Sequence, residues 1–207
     1  MQKQNLVSPD LNIFDKGSTS FVGVSTLTPL SQITNTVNGD VSTVDWRSDG
    51  VIALAYKSGI VQVRDHNYNV ERTIDSFTLS VPSGGVHTYT GLSIEDILWS
   101  PAVGDNRLAL AIGGLYSTKG SLSNDGGAVV IMDASTGVVL KTFVAPSPNI
   151  DLQGQPPRYT YIVRWSPDGQ YIGAVSSDGD GYLPKKYITI WNVASGEALS
   201  NEPVTNG

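Results

Sequence analysis

Residues 161–176 have the sequence YIVRWSPDGQYIGAVS, which predicts two β-strands joined by a tight turn. In the turn, Pro167 and Asp168 favour its start, and Gly169 tolerates the positive φ at its end. Two other segments align with this stretch on a tryptophan: VSTVDWRSDGVIALAY (41–56) and IEDILWSPAVGDNRLALAI (94–112). The chain therefore contains an internal repeat built on a strand, a turn and a second strand.

A third strand is expected in each copy, because a β-branched run follows each pair and ends at an Asp or Asn. These runs lie at 60–65, 129–133 and 187–192. Beyond the next turn a fourth strand is predicted, most clearly at 138–143 after Ser135-Thr136-Gly137. Four antiparallel strands per copy are typical of the blade of a β-propeller.

The N-terminal segment follows the same register, with 11–17 matching a third strand and its turn and 21–27 matching a fourth strand. The distance from the third strand to the next tryptophan is nearly constant. It is 32 residues from Phe14 to Trp46, 35 from Arg64 to Trp99 and 33 from Met132 to Trp165. We therefore predict an all-β fold, a fragment of a β-propeller with four-stranded antiparallel blades. An ordinary antiparallel sandwich is the alternative, although it lacks a fixed four-strand period.

This prediction divides the chain into four parts. Residues 1–40 hold the outer two strands of a preceding blade and a long connection, and 41–93 hold blade 1 and its connection. Residues 94–159 hold blade 2 and its connection, and 160–207 hold blade 3. A fragment of this size leaves open sheet edges, so we expect either the remaining blades of a longer chain or self-association.

At these positions the chain resembles the WD-repeat β-propeller family. Ile190-Trp191-Asn192 and Ile13-Phe14-Asp15 stand where that family has its Trp-Asp pair, and residues 165–169 match its first turn. The resemblance implies a rigid scaffold for protein–protein interaction. Residues 133–137 (DASTG) are also similar to repeats of quinoprotein propellers, some of which are dehydrogenases that use pyrroloquinoline quinone.

The net charge of the chain limits the classes of partner that we expect. The chain has 13 Lys+Arg against 19 Asp+Glu, a net charge of −6, so a nucleic acid or an anionic membrane surface is not expected as a partner. No apolar run has the length of a membrane span, and residues 1–10 contain no signal-peptide core, so we expect a soluble protein of undetermined compartment. Zero cysteines exclude disulfides and thiolate metal sites.

Few residues offer catalytic or metal-binding chemistry. His66 and His87 have no acidic or histidine neighbour at ligand spacing, and 178–181 (DGDG) lacks the further ligands of a calcium loop. No Gly-x-Ser-x-Gly motif occurs. We therefore predict no catalytic residues, no metal site and no cofactor, and a non-catalytic scaffold is the expected function. The alternative is a quinoprotein-like or other propeller enzyme, or a small-ligand-binding domain, with its site at the central pore.

The extra residues of the repeat concentrate on one rim. Long connections at 28–40, 75–93, 113–126, 144–159 and 177–186 all emerge on the rim opposite the tight turns. Inserted loops on one face mark the expected binding face, and Tyr and Arg dominate binding hot spots. The candidate binding residues are Tyr89, Tyr116, Tyr159, Arg158, Tyr182, Lys185 and Lys186. For a site at the pore, the polar candidates are Asp45, Arg47, Asp96 and Arg164.

Overall fold

The computed structural model describes residues 11–13, 31–33, 38–80, 85–113, 127–144, 159–177 and 186–204. All regular structure within these ranges is β-strand. The strands are β1 Leu11–Ile13, β2 Ser31–Ile33, β3 Val41–Trp46, β4 Ile52–Tyr56, β5 Val61–Arg64, β6 Val70–Ile74, β7 Ser76–Ser80, β8 Val86–Thr90, β9 Ile94–Trp99, β10 Arg107–Ile112, β11 Ala128–Asp133, β12 Val139–Val144, β13 Tyr159–Trp165, β14 Tyr171–Ser177, β15 Lys186–Asn192 and β16 Ala198–Pro203.

Three four-stranded antiparallel sheets form the body of the protein, each with its strands in chain order. Sheet I contains β3–β6, sheet II contains β9–β12 and sheet III contains β13–β16. The prediction of an all-β chain with four-stranded antiparallel sheets is confirmed. In each sheet the turns after the first and third strands lie at one end, the turn end. The connection after the second strand and those between sheets lie at the other, the loop end.

The three tryptophans used for the alignment have the same register. Trp46 pairs with Ile52, Trp99 with Leu108 and Trp165 with Ile172, in each case joining the last residue of the first strand to the start of the second. Positions in the three sheets can therefore be compared one by one from these pairs.

The turn after each third strand also recurs. Asp133 accepts hydrogen bonds from the backbone N–H groups of Ser135 and Thr136, at 2.8 and 3.1 Å, and Asn192 accepts one from that of Ser195, at 2.9 Å. Gly137 and Gly196 close these two turns with φ of 78° and 81°, a backbone conformation that suits glycine. An Asp or Asn at the end of the strand therefore fixes the turn through its own side chain.

Sheets I and II pack face to face around the larger core. Sheet I contributes small and β-branched residues, including Ala53, Ala55 and Val61, and sheet II contributes Leu108 and Leu110, all of them fully buried. Alternation along each strand directs these side chains to one face of the sheet. The packing therefore follows from the period-two pattern of the sequence.

Sheets II and III pack around a second core on the opposite face of sheet II. Ala109, Ala111 and Ile131 of sheet II lie in the same cluster as Ile172 and Trp191 of sheet III. Sheet II is thus covered on both faces, which explains why its second strand is an almost continuous apolar run.

Part of the connection predicted at 75–93 is itself regular structure. β7 and β8 pair as an antiparallel hairpin, and Phe77, Leu79 and Tyr89 are buried in the core between sheets I and II. The sequences SFTLS and VHTYT alternate in polarity, and this signal predicts strands rather than an irregular loop. The expectation of a simple loop at these residues is corrected.

At the N-terminus, β1 pairs with β2, and Leu11 lies opposite Ile33. β2 lies within the connection predicted at 28–40, so the prediction of a connection there is corrected at these three residues. Of the predicted strand and turn at 11–17, only β1 lies within the described residues. The predicted fourth strand at 21–27 lies outside the described residues.

Candidate functional site

Arginines stack on tryptophans across both contacts between sheets. The Arg47 guanidinium, just after β3, lies 4.7 Å from the ring centroid of Trp99, and that of Arg107 lies 5.3 Å from the ring of Trp165. Trp99 is 5% exposed, whereas Trp46 and Trp165 are partly buried. The positive charge over each π face stabilises the contact between one sheet and the next.

Polar side chains near the first strands also join neighbouring sheets. An oxygen of Asp45 accepts the backbone N–H of Trp99 at 2.7 Å, and one of Asp96 accepts that of Val163 at 3.2 Å. Arg164 completes the second contact through an ion pair with Asp96. Three of the four residues predicted for a central site therefore tie first strands together.

A cleft of about 210 Å³ opens at the turn end between sheets I and II. Trp99 is among the residues that line it, and most of the others are polar or charged. The lining includes Arg47, Glu71, Arg72, Trp99, Asn106 and Ser135. The cleft lies at the turn end, whereas the sequence predicts the binding face at the loop end.

The two arginines in the cleft are held in different ways. Arg47 donates two hydrogen bonds of 2.8 Å to Asp49 and another to Asn106. Among the described residues, Arg72 donates only one hydrogen bond, of 3.3 Å from Nη1 to the carbonyl of Thr136, and Arg72 is exposed. Arg72 is therefore the more available cation.

Trp99 differs from Trp46 and Trp165 in the hydrogen bonding of its indole N–H. Trp46 Nε1 donates to the carbonyl of Gly50 at 3.1 Å, and Trp165 Nε1 donates to that of Leu98 at 3.4 Å. Trp99 Nε1 is buried and has no hydrogen-bond partner among the described residues. An unpaired buried donor is costly, so Trp99 has the least complete polar contacts of the three tryptophans.

Acidic residues around the turn end are held in their charged form. Hydrogen bonds from Arg47 lower the pKa of Asp49, and those from Ser135 and Ser166 lower the pKa of Asp133 and Asp168. Burial acts to raise the pKa of Asp105, but hydrogen bonds from Arg107 and Ser100 outweigh it and lower that pKa as well. These carboxylates serve the turns as hydrogen-bond acceptors.

The seven predicted binding residues fall into two groups. Tyr89 is 6% exposed within the core, Tyr159 stacks on Tyr161 with ring centroids 6.0 Å apart, and Lys186 is exposed at the loop end. The others lie outside the described residues: Tyr116, Arg158, Tyr182 and Lys185. The three described residues do not come together in one cluster among the described contacts.

Sequence reasoning missed the cleft because its lining comes from turns distant in the chain. Asn106 and Ser135 belong to different turns of sheet II, and Arg72 belongs to β6 of sheet I. One signal was present: by register Arg72 is equivalent to Lys141, and Lys141 donates to the carbonyls of Val193 and Ala194 at 2.8 and 2.7 Å. A cation repeated at this position predicts a contact with the next sheet.

Over the described ranges, no group of three or more His, Asp or Glu residues could hold a metal ion. A search of the same residues finds no helix with the length and apolar character needed to cross a membrane. Comparison of the chain with known protein families and with curated protein sequences finds no match.

Proposed function

We propose that this protein is a non-catalytic β-propeller-type scaffold that binds a protein partner through the long connections at its loop end. Sheets I, II and III would be consecutive blades. This proposal rests on the resemblance of the repeats to those of WD-repeat propellers.

The observation that supports it most is the repeated contact between sheets. First strands are joined by Asp45 and Asp96, and fourth strands reach the next sheet through Arg72 and Lys141. Two apolar cores fill the space between the sheets. Sheets stacked in this way hold their loop ends at fixed positions. Loops on a rigid framework are well suited to recognition.

Affinity capture from the source cell tests this function. Tyr116→Ala, Arg158→Ala and Tyr182→Ala should each reduce recovery of the partner, because hot-spot truncation costs ~2 kcal/mol or more, or roughly thirtyfold in affinity. Asp49→Ala is the control at the turn end and should leave recovery unchanged. Circular dichroism establishes that every variant is folded. Partner loss only in the Asp49 variant, or the same recovery from all variants, would refute binding at the loop end.

A second candidate function is binding of a small carboxylate in the cleft between sheets I and II. It is favoured by the exposed guanidinium of Arg72 in a cleft that Arg47 also lines. A guanidinium presents paired N–H donors, and the two oxygens of a carboxylate accept from both. Glu71 also lines the cleft and would limit the charge of such a ligand.

Tryptophan fluorescence tests the second candidate directly. Titration with butyrate should give a saturable change that Arg72→Ala abolishes and Lys141→Ala preserves, because Lys141 is the equivalent cation outside the cleft. The uncharged analogue 1-butanol should give no change. A linear response to butyrate, or an equal response from the alcohol, would exclude carboxylate binding at this site.

A further inference from the structure

The fourth strand of sheet I carries two charged residues side by side at the cleft between sheets I and II. Both Glu71 and Arg72 line this cleft, although consecutive residues of a regular strand point to opposite faces of the sheet. Arg72 pairs with Val63, whereas the next pair joins Val70 to Arg64. Glu71 is therefore the extra residue of a β-bulge. A bulge bends the strand and re-aims a side chain, which allows both charges to reach the same cleft.

Sheets II and III have the same bulge but not the same charges. At the position of Glu71, sheet II has Leu140 and sheet III has Leu199, and both leucines are exposed. The cation of sheet II, Lys141, donates to two carbonyl groups of sheet III at 2.8 and 2.7 Å. Among the three sheets, only sheet I combines an acid with a cation at the bulge, and this is the bulge that lies at the cleft.

Neither charge of this pair is neutralised within the described part of the chain. There, no ion pair or hydrogen bond involves the Glu71 carboxylate. The Arg72 guanidinium has several N–H donors, and its bond to the carbonyl of Thr136 uses one of them. Arg47, in contrast, is balanced by Asp49 at 2.8 Å. The cleft therefore presents one acid and one cation whose charges are not paired among the described residues.

The cleft also has an apolar part. Val51, Val63 and Ala134 contribute to its lining, and all three are buried. Arg72 extends to sheet II and forms no ion pair with Glu71 among the described contacts. A ligand that meets both charges therefore needs its own two charges at separate ends of an apolar chain. The volume of about 210 Å³ lies below the roughly 300–1,000 Å³ of sites for drug-sized ligands, so this chain must be short.

We propose that the cleft binds a short ω-amino acid, with its carboxylate at Arg72, its ammonium group at Glu71 and its methylene groups on the apolar lining. The inference rests on the second candidate function, the binding of a carboxylate in this cleft, and adds a cationic end to the ligand. A simple carboxylate would leave Glu71 unpaired and be repelled by it, and a simple amine would be repelled by Arg72. A zwitterion satisfies both charges.

Tryptophan fluorescence with a matched series of ligands tests this proposal at constant ionic strength, because Trp99 lines the cleft. The ligands 4-aminobutyrate, butyrate and butylamine have the same carbon chain and differ only in their charged groups. For the unmodified chain, 4-aminobutyrate should bind about three- to fivefold more tightly than butyrate, because an exposed ion pair contributes modestly. Butylamine should also bind more weakly than 4-aminobutyrate, because it has no carboxylate for Arg72.

Two substitutions of Glu71 sharpen the test. Glu71→Gln should abolish the preference, so that 4-aminobutyrate and butyrate bind equally. Glu71→Lys should reverse the preference, because the ammonium group of the ligand would then meet a like charge. Glu197→Gln is the matched control, because it removes the same charge from an exposed position in the last turn of sheet III, and it should leave the preference unchanged. Circular dichroism establishes that every variant is folded.

The outcomes separate this proposal from the function on which it rests. Equal affinities of 4-aminobutyrate and butyrate for the unmodified chain would refute binding of an ω-amino acid and leave the carboxylate site intact. The absence of a saturable response to either ligand would refute both. A preference that Glu71→Gln and Glu71→Lys leave unchanged would place the ammonium group elsewhere and overturn the role assigned to Glu71.

Discussion

The two contacts between sheets are built on the same plan but differ in the extent of their buried cores. Between sheets I and II, Leu108, Leu110 and the β7–β8 hairpin fill the space, and Trp99 is buried. Between sheets II and III the core is smaller, Trp165 is partly buried, and the exposed ion pair of Arg164 with Asp96 joins the first strands. Side chains at equivalent positions should therefore contribute different amounts to stability, depending on how completely each is buried.

The largest expected effect comes from the tryptophans. Trp99→Ala should lower the free energy of unfolding by about 3–5 kcal/mol, because it removes a buried aromatic side chain and leaves a cavity. Trp165→Ala should cost about 1–3 kcal/mol, because a half-buried ring loses less apolar area. Urea denaturation measures both. Equal costs would show that the two contacts do not differ.

The hairpin β7–β8 should contribute to the first contact alone. Leu79→Ala should lower the free energy of unfolding by about 2–5 kcal/mol, because Leu79 is fully buried between the sheets. Val86→Ala, at an exposed position of the same hairpin, should change it by less than about 0.5 kcal/mol. If Leu79→Ala lowered the free energy of unfolding by less than about 0.5 kcal/mol, the hairpin would pack independently of the core.

A smaller effect is expected at the polar contact between the first strands. Asp45→Ala removes the acceptor of the Trp99 backbone N–H and should cost about 1–3 kcal/mol in urea denaturation. The control is Asp40→Ala, whose 3.3 Å ion pair with Lys57 is exposed and should contribute about 0–1 kcal/mol. If both variants lose the same stability, the contact at Asp45 contributes no more than a surface ion pair.

The smallest effects should be those of single turn aspartates, and pH reveals them. The folded-state pKa values of Asp49, Asp133 and Asp168 lie below the unfolded value near 3.8. Their stabilisation is therefore present above that value and is lost as the pH falls through the lower folded values. Urea midpoints between pH 6 and pH 2 should show this loss, and Asp133→Asn should make it shallower. An unchanged slope would contradict the assigned turn contacts.

Much of the fold could be predicted from local patterns. The strand, turn and strand around each tryptophan, and the Asp- or Asn-led turns after each third strand, depend on residues close together in the chain. The segment 76–90 alternates in the same way, although the spacing of the repeats favours a long connection there. Its alternation was sufficient to predict the hairpin.

The candidate site could be predicted only in part. The sequence shows that Asp45, Asp96 and Arg164 are polar residues beside the first strands, but it does not indicate their contacts with the next sheet. Arg72, Asn106 and Ser135 come from three separate elements and have no common motif. A cleft between sheets depends on how distant segments pack, so no local pattern could indicate it.

The sequence by itself determined that this chain is all-β and that its strands form repeated four-stranded antiparallel sheets, because alternation and turn chemistry act over a few residues. Tertiary structure alone decided which faces of those sheets are covered. Ile131 and Ile190 occupy equivalent positions with the same side chain, yet one is 1% and the other 37% exposed. The difference arises because burial depends on the neighbouring sheet, which lies far away in the sequence.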